Sequence, residues 1–332
     1  MKPPKLDPAG FYGKIPLAPH QLTEDLTPLD DVIVLCHLGV PRIDAETWEL
    51  QIDGLVATPR RLTFADLRRF PQHTVTSIHQ CAGSPLAPQE PKRRIVNVRW
   101  SGVRVIDVLK DLGVLPQAQY LWSHGADYGE FAGIAVDRYT KDLPLARLSS
   151  DVLIATALNG EPLRPENGFP ARLVVPGFYG TNCVKWLTRM TLADARPDSP
   201  FTTRWYNDAV LDDQGRDTGR TAPVWAIAPE SVIVSPAPAQ TLRRGEACRI
   251  WGRAWSDDGI GSVKVSVDGG QTWETAELEP AVERSWQRFS LSWTPDRTGP
   301  VTLSSLARDP QGREQPHAGS RNAMHSVSVT IV

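Results

Sequence analysis

The side chains best suited to hold a metal or move electrons in this chain are its cysteines and the histidines beside them. Cys36 precedes His37, Cys81 follows His79 by two positions, and Cys183 and Cys248 stand apart. Four cysteines in 332 residues are far from a disulfide framework. No Cys-x-x-Cys occurs, which argues against zinc-ribbon and thioredoxin chemistry, and no Cys-x-x-Cys-His occurs to carry a c-type haem. A thiolate is soft and strongly donating, so each cysteine is a candidate metal ligand once deprotonated, and a small buried hydrophobe otherwise. Cys36, His37, His79 and Cys81 could together make a zinc site. Cys81 is set apart by its context. Residues His73 to His79 alternate as a strand does, and Cys81-Ala82-Gly83 follows, so the sulfur is expected at a strand end where a glycine-containing turn can expose it.

The elements around these residues mix strands with short helices. The apolar run Asp31 to His37 reads as a buried strand, and Trp48 to Ile52 alternates as a half-buried strand turned by Asp53-Gly54. Thr63 to Arg69 reads as a short helix with Thr63 as N-cap and Asp66 facing the N-terminal dipole. A proline-rich loop, Pro85 to Pro91, leads into the basic trio Lys92-Arg93-Arg94. Val103 to Leu112 has helical spacing and stops at Gly113. Leu173-Val174-Val175 is an apolar strand closed by Pro176-Gly177, and Val184 to Leu187 follows shortly after. No Gly-x-Gly-x-x-Gly after a strand and no Walker A motif support a dinucleotide fold or a P-loop.

Composition shifts after about residue 215, where short alternating runs take over: Val263 to Val267, Phe289 to Trp293, Val301 to Leu303 and Val327 to Ile331. Asp268-Gly269-Gly270 is a hairpin signal. This pattern predicts a β-sandwich, with six of the 11 tryptophans between Trp225 and Trp293 as core fillers or as an interface. The expected organisation is an irregular arm at 1–30, a mixed domain at 31–215 and the sandwich at 216–332. Lys plus Arg number 36 and Asp plus Glu 38, a balance that argues against nucleic-acid binding by bulk charge and against polybasic membrane binding. No apolar run is long enough to span a bilayer. Met1-Lys2-Pro3-Pro4 opens neither a signal peptide nor a twin-arginine signal, so the chain as written is expected in the cytoplasm, or in the periplasm if a leader has been removed.

Taken together, these segments resemble the sulfite oxidase family of molybdenum enzymes. Ser77-Ile78-His79-Gln80-Cys81-Ala82-Gly83 is similar to that family's cysteine motif, and His37-Leu38-Gly39-Val40-Pro41 to its pterin-contacting His-Leu-x-Val-Pro. Arg99-Trp100-Ser101-Gly102-Val103, the stretch Gly168 to Gly177, and Val184-Lys185-Trp186-Leu187 fall in the family's order. Val265 to Trp273 and Ala307 to Gly312 resemble its immunoglobulin-like dimerisation domain. The resemblance implies an α+β chain: a mixed α/β molybdopterin domain at 31–215, then an immunoglobulin-like β-sandwich at 216–332 that makes a homodimer. It implies a Mo-molybdopterin cofactor whose molybdenum takes the Cys81 thiolate. It further implies catalytic roles for Cys81 and Tyr206. Around the pterin and its phosphate it implies His37, Asp127, Asn167, Arg172, Cys183 and Lys185, with Cys183 as a pocket residue and not a second metal ligand. Tyr206 matches the family's active-site tyrosine, with a tyrosine packed at a domain boundary as the alternative. With no haem-binding stretch evident, the electrons are expected to pass to or from a separate carrier of the cytochrome type.

The sequence also departs from the family. Leu35 stands two places before His37 and Leu86 five places after Cys81, both where the family has arginine, and Asn182-Cys183 replaces an Arg-His pair. A third family arginine corresponds either to His317 or to Arg321. Losing one arginine that contacts an anion removes about 1.5–3 kcal/mol of charge-assisted hydrogen bonding. The trio Lys92-Arg93-Arg94 either restores that charge, with Arg94 in the catalytic set, or is solvated surface. Oxygen-atom transfer on sulfite or a related small sulfur oxyanion is the default expectation. The alternatives are a reductase of a sulfoxide- or nitrate-like substrate at the same centre, and a non-catalytic binding protein with a vestigial site.

Overall fold

The computed structural model describes residues 16–84, 92–212, 214–317 and 321–332. Leu86, one of the two leucines in family arginine positions, lies outside them. The chain divides into two compact units, each discontinuous in sequence: residues 34–75 and 99–225 form the first, and residues 16–33, 76–98 and 226–332 the second.

The first unit is built on a five-stranded sheet in the order Arg60–Thr63, Glu49–Gly54, Leu187–Ala193, Tyr120–Gly125, Thr140–Pro144. The central pair, Glu49–Gly54 and Leu187–Ala193, is parallel with Ile52 opposite Met190; the other pairs are antiparallel. The alternation in Trp48 to Ile52 holds, with Leu50 and Ile52 fully buried. A second group of strands carries Arg172–Val174 on one side of Leu153–Leu158 and Trp100 to Arg104 on the other. Helices are short. Thr63 caps Phe64–Leu67 as expected, its hydroxyl accepting from Asp66 N at 3.2 Å while Asp66 accepts from Thr63 N at 2.9 Å.

Two expectations are corrected here. Only Val105–Leu109 of the stretch 103–112 is helical, because Val103 and Arg104 are drawn into strand Ile95–Arg104 by pairing with Ile154 and Leu153. Asp31 to His37 is not a strand: a 3-10 turn at Leu29–Asp31 is followed by irregular backbone with a single bridge residue at Leu35. Its apolar side chains are buried all the same, with Val34, Cys36, Val40 and Trp186 forming one cluster. Burial without alternation does not distinguish a strand from an anchored loop.

The second unit contains a β-sandwich. One sheet runs Glu230–Ser235, Cys248–Trp255, Gln287–Trp293, Glu277–Leu278, and the other Thr241–Leu242, Ser326–Ile331, Gly299–Arg308, Ser262–Ser266, Glu274–Thr275. Inward residues of both sheets, among them Ile233, Ile250, Val263, Phe289, Leu303 and Val329, make its core. The hairpin at Asp268 forms as expected: Asp268 Oδ1 accepts from Gln271 N and Thr272 N, both at 2.9 Å, and Gly269 and Gly270 supply positive φ of 75° and 93°. Trp255 and Trp286 fill space as buried residues, whereas Trp225, Trp251, Trp273 and Trp293 keep part of their surface exposed. Among the described residues no helix is long and apolar enough to cross a membrane.

Candidate functional site

Strand Gln72–Gln80 ends where Cys81, in the second unit, begins a turn, as its alternation foretold. Cys81 N donates to Arg94 O at 2.9 Å, and Gly83 N donates to the Cys81 sulfur at 3.4 Å. Arg94 N donates to Ser84 Oγ at 2.6 Å, Arg94 Nη1 to Gly83 O, and Arg321 Nε to Ala82 O. Two guanidinium groups therefore grip the carbonyls of the turn that carries the thiol. Burial raises the Cys81 thiol above its ordinary value, while the Gly83 N–H and the charges of Arg94 and Arg321 pull it back down. The residue retains part of its surface exposed. Between the two sequence candidates for the C-terminal arginine, it is Arg321 that meets this turn; His317 is exposed and pairs with Glu314 at 3.5 Å.

Beneath the turn lies a polar network that the sequence does not announce. Gln80, fully buried, donates from Nε2 to Glu230 Oε2 at 2.6 Å and Ser84 O at 3.1 Å, and accepts from Trp255 Nε1 at 3.0 Å. Arg93 Nε donates to Glu230 Oε1 at 2.7 Å, with neither side chain exposed. Burial pushes the Glu230 carboxyl up to about 7, and Arg93 and Gln80 oppose that rise. Of the basic trio, then, Arg93 is structural and Arg94 reaches the turn, while Lys92 is exposed.

The remaining candidates lie in the first unit. His37 Nε2 and Tyr206 Oη are 2.5 Å apart, and the imidazole sits among Phe131, Tyr139 and Phe201, with ring centroids 4.8, 5.6 and 5.6 Å away. Burial and the Lys185 charge lower His37 to about 4, so the ring is neutral near pH 7. Tyr206 holds a φ of 60°, a left-handed conformation unusual for a residue with a ring. Lys185 donates from Nζ to Leu35 O at 2.9 Å, Glu166 O at 3.0 Å and Cys36 Sγ at 3.1 Å, tying the segment before His37 to the turn at Asn167. Arg172 donates to Asn167 O and Cys183 O, both at 3.0 Å, and lies over the Trp100 ring at 4.8 Å. Gly168, at φ 106°, lets the chain pass between Arg172 and Lys185, whose Cβ atoms would each be 3.1 Å from an added Cβ. Cys183 is buried, its sulfur accepting from Val175 N at 3.3 Å.

Three buried polar atoms among these residues have no hydrogen-bond partner: Asp127 Oδ1, Arg172 Nε and Asn182 Oδ1. Leaving such groups dry and unpaired costs about 1–3 kcal/mol each, more for charged ones. Burial also drives the Asp127 carboxyl up to about 7 despite the nearby Lys185. Gly125 makes room for it, since a Cβ there would come within 2.3 Å of Asp127 Oδ1. A pterin carries N–H donors suited to an open carboxylate oxygen such as Asp127 Oδ1 and acceptors suited to the Arg172 guanidinium. The residues therefore fit the cofactor implied by the sequence. Among the described residues no three or more His, Cys, Asp or Glu side chains gather as a metal cluster, so the zinc alternative from Cys36, His37, His79 and Cys81 gains no support. A centre that takes a single thiolate from the protein needs no such cluster.

Comparison with known proteins defines the class. Residues 37–201 match the oxidoreductase molybdopterin binding domain, and residues 221–305 the Mo-co oxidoreductase dimerisation domain. The sulfane dehydrogenase SoxCD of Paracoccus pantotrophus has a similar structure, with a TM-score of 0.80 and 33% identity over 94% of this chain and 82% of that one. Mitochondrial sulfite oxidase of Rattus norvegicus is 31% identical over 95% of this chain and 63% of its own length, and that of Drosophila melanogaster 30% over 92% and 59%. A nitrate reductase of Hordeum vulgare is 31% identical over 76% of this chain and 32% of its own length. The chain belongs to the sulfite oxidase family of molybdopterin-dependent oxidoreductases. The family's cofactor is Mo-molybdopterin. The chain spans about 59–63% of the length of these two animal sulfite oxidases.

Proposed function

We propose that this protein is a molybdenum oxidoreductase that transfers an oxygen atom at a Cys81-ligated Mo-molybdopterin centre, with sulfite or a related small sulfur oxyanion as substrate. The observation that carries this reading is the Cys81 turn, a thiol at a strand end with the guanidinium groups of Arg94 and Arg321 on the adjoining carbonyls. Those two cations bring positive charge to the turn. His37, Asp127, Asn167, Arg172, Cys183 and Lys185 serve the pterin: Asp127 Oδ1 and Arg172 Nε offer open hydrogen bonds, and Lys185 holds their frame. Tyr206, paired with His37, is the proton-handling group. When bound, the cofactor supplies two-electron oxygen-atom chemistry that no side chain offers. The electrons pass singly to or from a separate carrier, a cytochrome, and the sandwich pairs two copies of the chain.

Stopped-flow absorbance tests this reading. Protein loaded with molybdenum and mixed with millimolar sulfite is expected to lose its thiolate-to-metal absorption within the mixing experiment, and Cys81→Ser to lack that absorption. No bleaching rejects sulfite. A second reading, reduction of a neutral or nitrate-like oxygen donor, is favoured by the partly exposed Leu35 near His37. Turnover of a sulfoxide or nitrate by reduced viologen, with no response to sulfite, would select it.

A further inference from the structure

The aromatic group around His37 has a cation buried in it that the reading above does not use. Lys141, on strand Thr140–Pro144, is 1% exposed. Its Nζ donates to Phe201 O at 3.0 Å and lies 5.5 Å from the centroid of the Tyr206 ring. An ammonium needs three acceptors to replace its water, and a carbonyl with an aromatic face is a poor exchange. At that distance the charge acts on its neighbour. That neighbour is the tyrosine held at φ 60° with its hydroxyl 2.5 Å from a neutral imidazole.

We propose that Lys141 is a positioning residue for the Tyr206–His37 pair, its buried ammonium steadying negative charge on the Tyr206 phenol as a proton moves between Tyr206 Oη and His37 Nε2. With the His37 proton on Nδ1, the phenol donates to Nε2. Transfer breaks the O–H bond, forms an N–H bond and leaves phenolate beside imidazolium; return of the proton restores both. A phenolate is the costly partner in a site walled by Phe131, Tyr139 and Phe201, and a fixed cation behind its ring reduces that cost. This inference rests on the role proposed for Tyr206.

Among the described residues, the charges that act on Lys141 are those of Asp142 and Arg196. Asp142, next in sequence, is committed to Arg196 at 2.7 Å. Strand Tyr120–Gly125 brings His124, itself lowered to about 4 by burial. Helix Pro200–Thr203 and turn Gly180–Asn182 bring no ionisable side chain. Lys185 acts on His37 and lowers it. Burial lowers Lys141 to about 8, with Asp142 opposing and Arg196 adding to the shift, so the charge is present at pH 7 and is lost just above it.

The test follows the tyrosine absorbance of the full chain across about pH 6 to 10, a range that brackets the lysine midpoint, as wild type minus Tyr206→Phe. The wild-type band is expected to shift with a midpoint near 8, to show no shift in Lys141→Met, and to show none below about pH 10 in Lys141→Arg, whose charge persists. A wild-type band that does not move, or one that moves alike in Lys141→Met, overturns the proposal. If the methionine variant does not fold, the arginine variant decides alone: a midpoint near 8 that survives in it belongs to another group. In turnover, kcat/KM is expected to fall above the same midpoint in wild type, to fall at least tenfold in Lys141→Met, and to keep its plateau a full pH unit further in Lys141→Arg. The absorbance needs neither bound molybdenum nor a substrate, so failure of the proposed reaction removes the rate profile and leaves the band shift standing.

Discussion

Asp127 is the residue at which cofactor fit and protein stability pull apart. Its carboxyl is buried, pushed up to about 7 and left with one oxygen unpaired. Asp127→Asn keeps the shape, removes the charge and replaces one acceptor with a donor. Loss of a charge-assisted hydrogen bond to a cofactor N–H corresponds to about 1.5–3 kcal/mol, or roughly ten- to hundredfold weaker retention. The expected outcome is a low molybdenum-to-protein ratio by elemental analysis, with the cofactor-free protein no less stable in urea. Equal molybdenum in both proteins would remove Asp127 from the cofactor contacts. At this scale the sequence was informative where a residue's neighbours in the chain form a motif, as around Cys81 and His37. It was silent on Gln80, Glu230 and Lys141, whose roles depend on partners 137 to 150 positions away or on a ring brought in by folding. Buried charge has no signature in composition, since Lys141 and the exposed Lys92 are the same letter.

The Cys81 turn depends on an element pairing that can be broken by one substitution. Glu230→Ala leaves the Arg93 guanidinium buried without its carboxylate and Gln80 Nε2 without its 2.6 Å acceptor. Breaking a buried ion pair from one side costs about 3–5 kcal/mol. Urea denaturation is expected to show that loss, and a change below about 1 kcal/mol would mean that water enters and solvates Arg93. Glu230→Gln, which keeps an acceptor, is expected to recover part of it. Strands were legible from alternation because one face of each is buried: Glu49–Gly54, Gln72–Gln80 and Ser326–Ile331 fall where residue period 2 puts them. The segment before His37 was not, because its order comes from Lys185, which takes Leu35 O and Cys36 Sγ from 149 and 150 residues away. An apolar run read alone cannot show that its hydrogen bonds end on a side chain.

For the whole molecule, two predictions concern assembly and acid response. The dimerisation-domain match over residues 221–305 supports elution with light scattering at about twice the 36.6 kDa chain mass; a clean monomer would remove the homodimer. The acid response is a contest of signs. His37 and His124 are both lowered to about 4 from an ordinary 6.5, so between about pH 6.5 and 4 the unfolded chain takes up protons that the folded protein refuses. Their contribution is present above 6.5 and is lost as pH falls through 4, about 3 kcal/mol for the buried His124 and less for the more exposed His37. Asp127 and Glu230 act in reverse. Both are raised to about 7, so the folded protein holds protons the unfolded chain has released, and their contribution is present below about 4 and lost as pH rises through 7. Two histidines and two carboxyls of opposite slope leave the cofactor-free protein with a nearly level stability across that window. Asp127→Asn removes one opposing slope, so its unfolding free energy from urea denaturation is expected to climb with pH from 4 to 6.5, by about 3 kcal/mol relative to wild type. His124→Gln removes a slope of the other sign, and its stability is expected to fall over the same interval. Parallel curves for the two variants would show that neither group titrates out of step between the folded and unfolded chain.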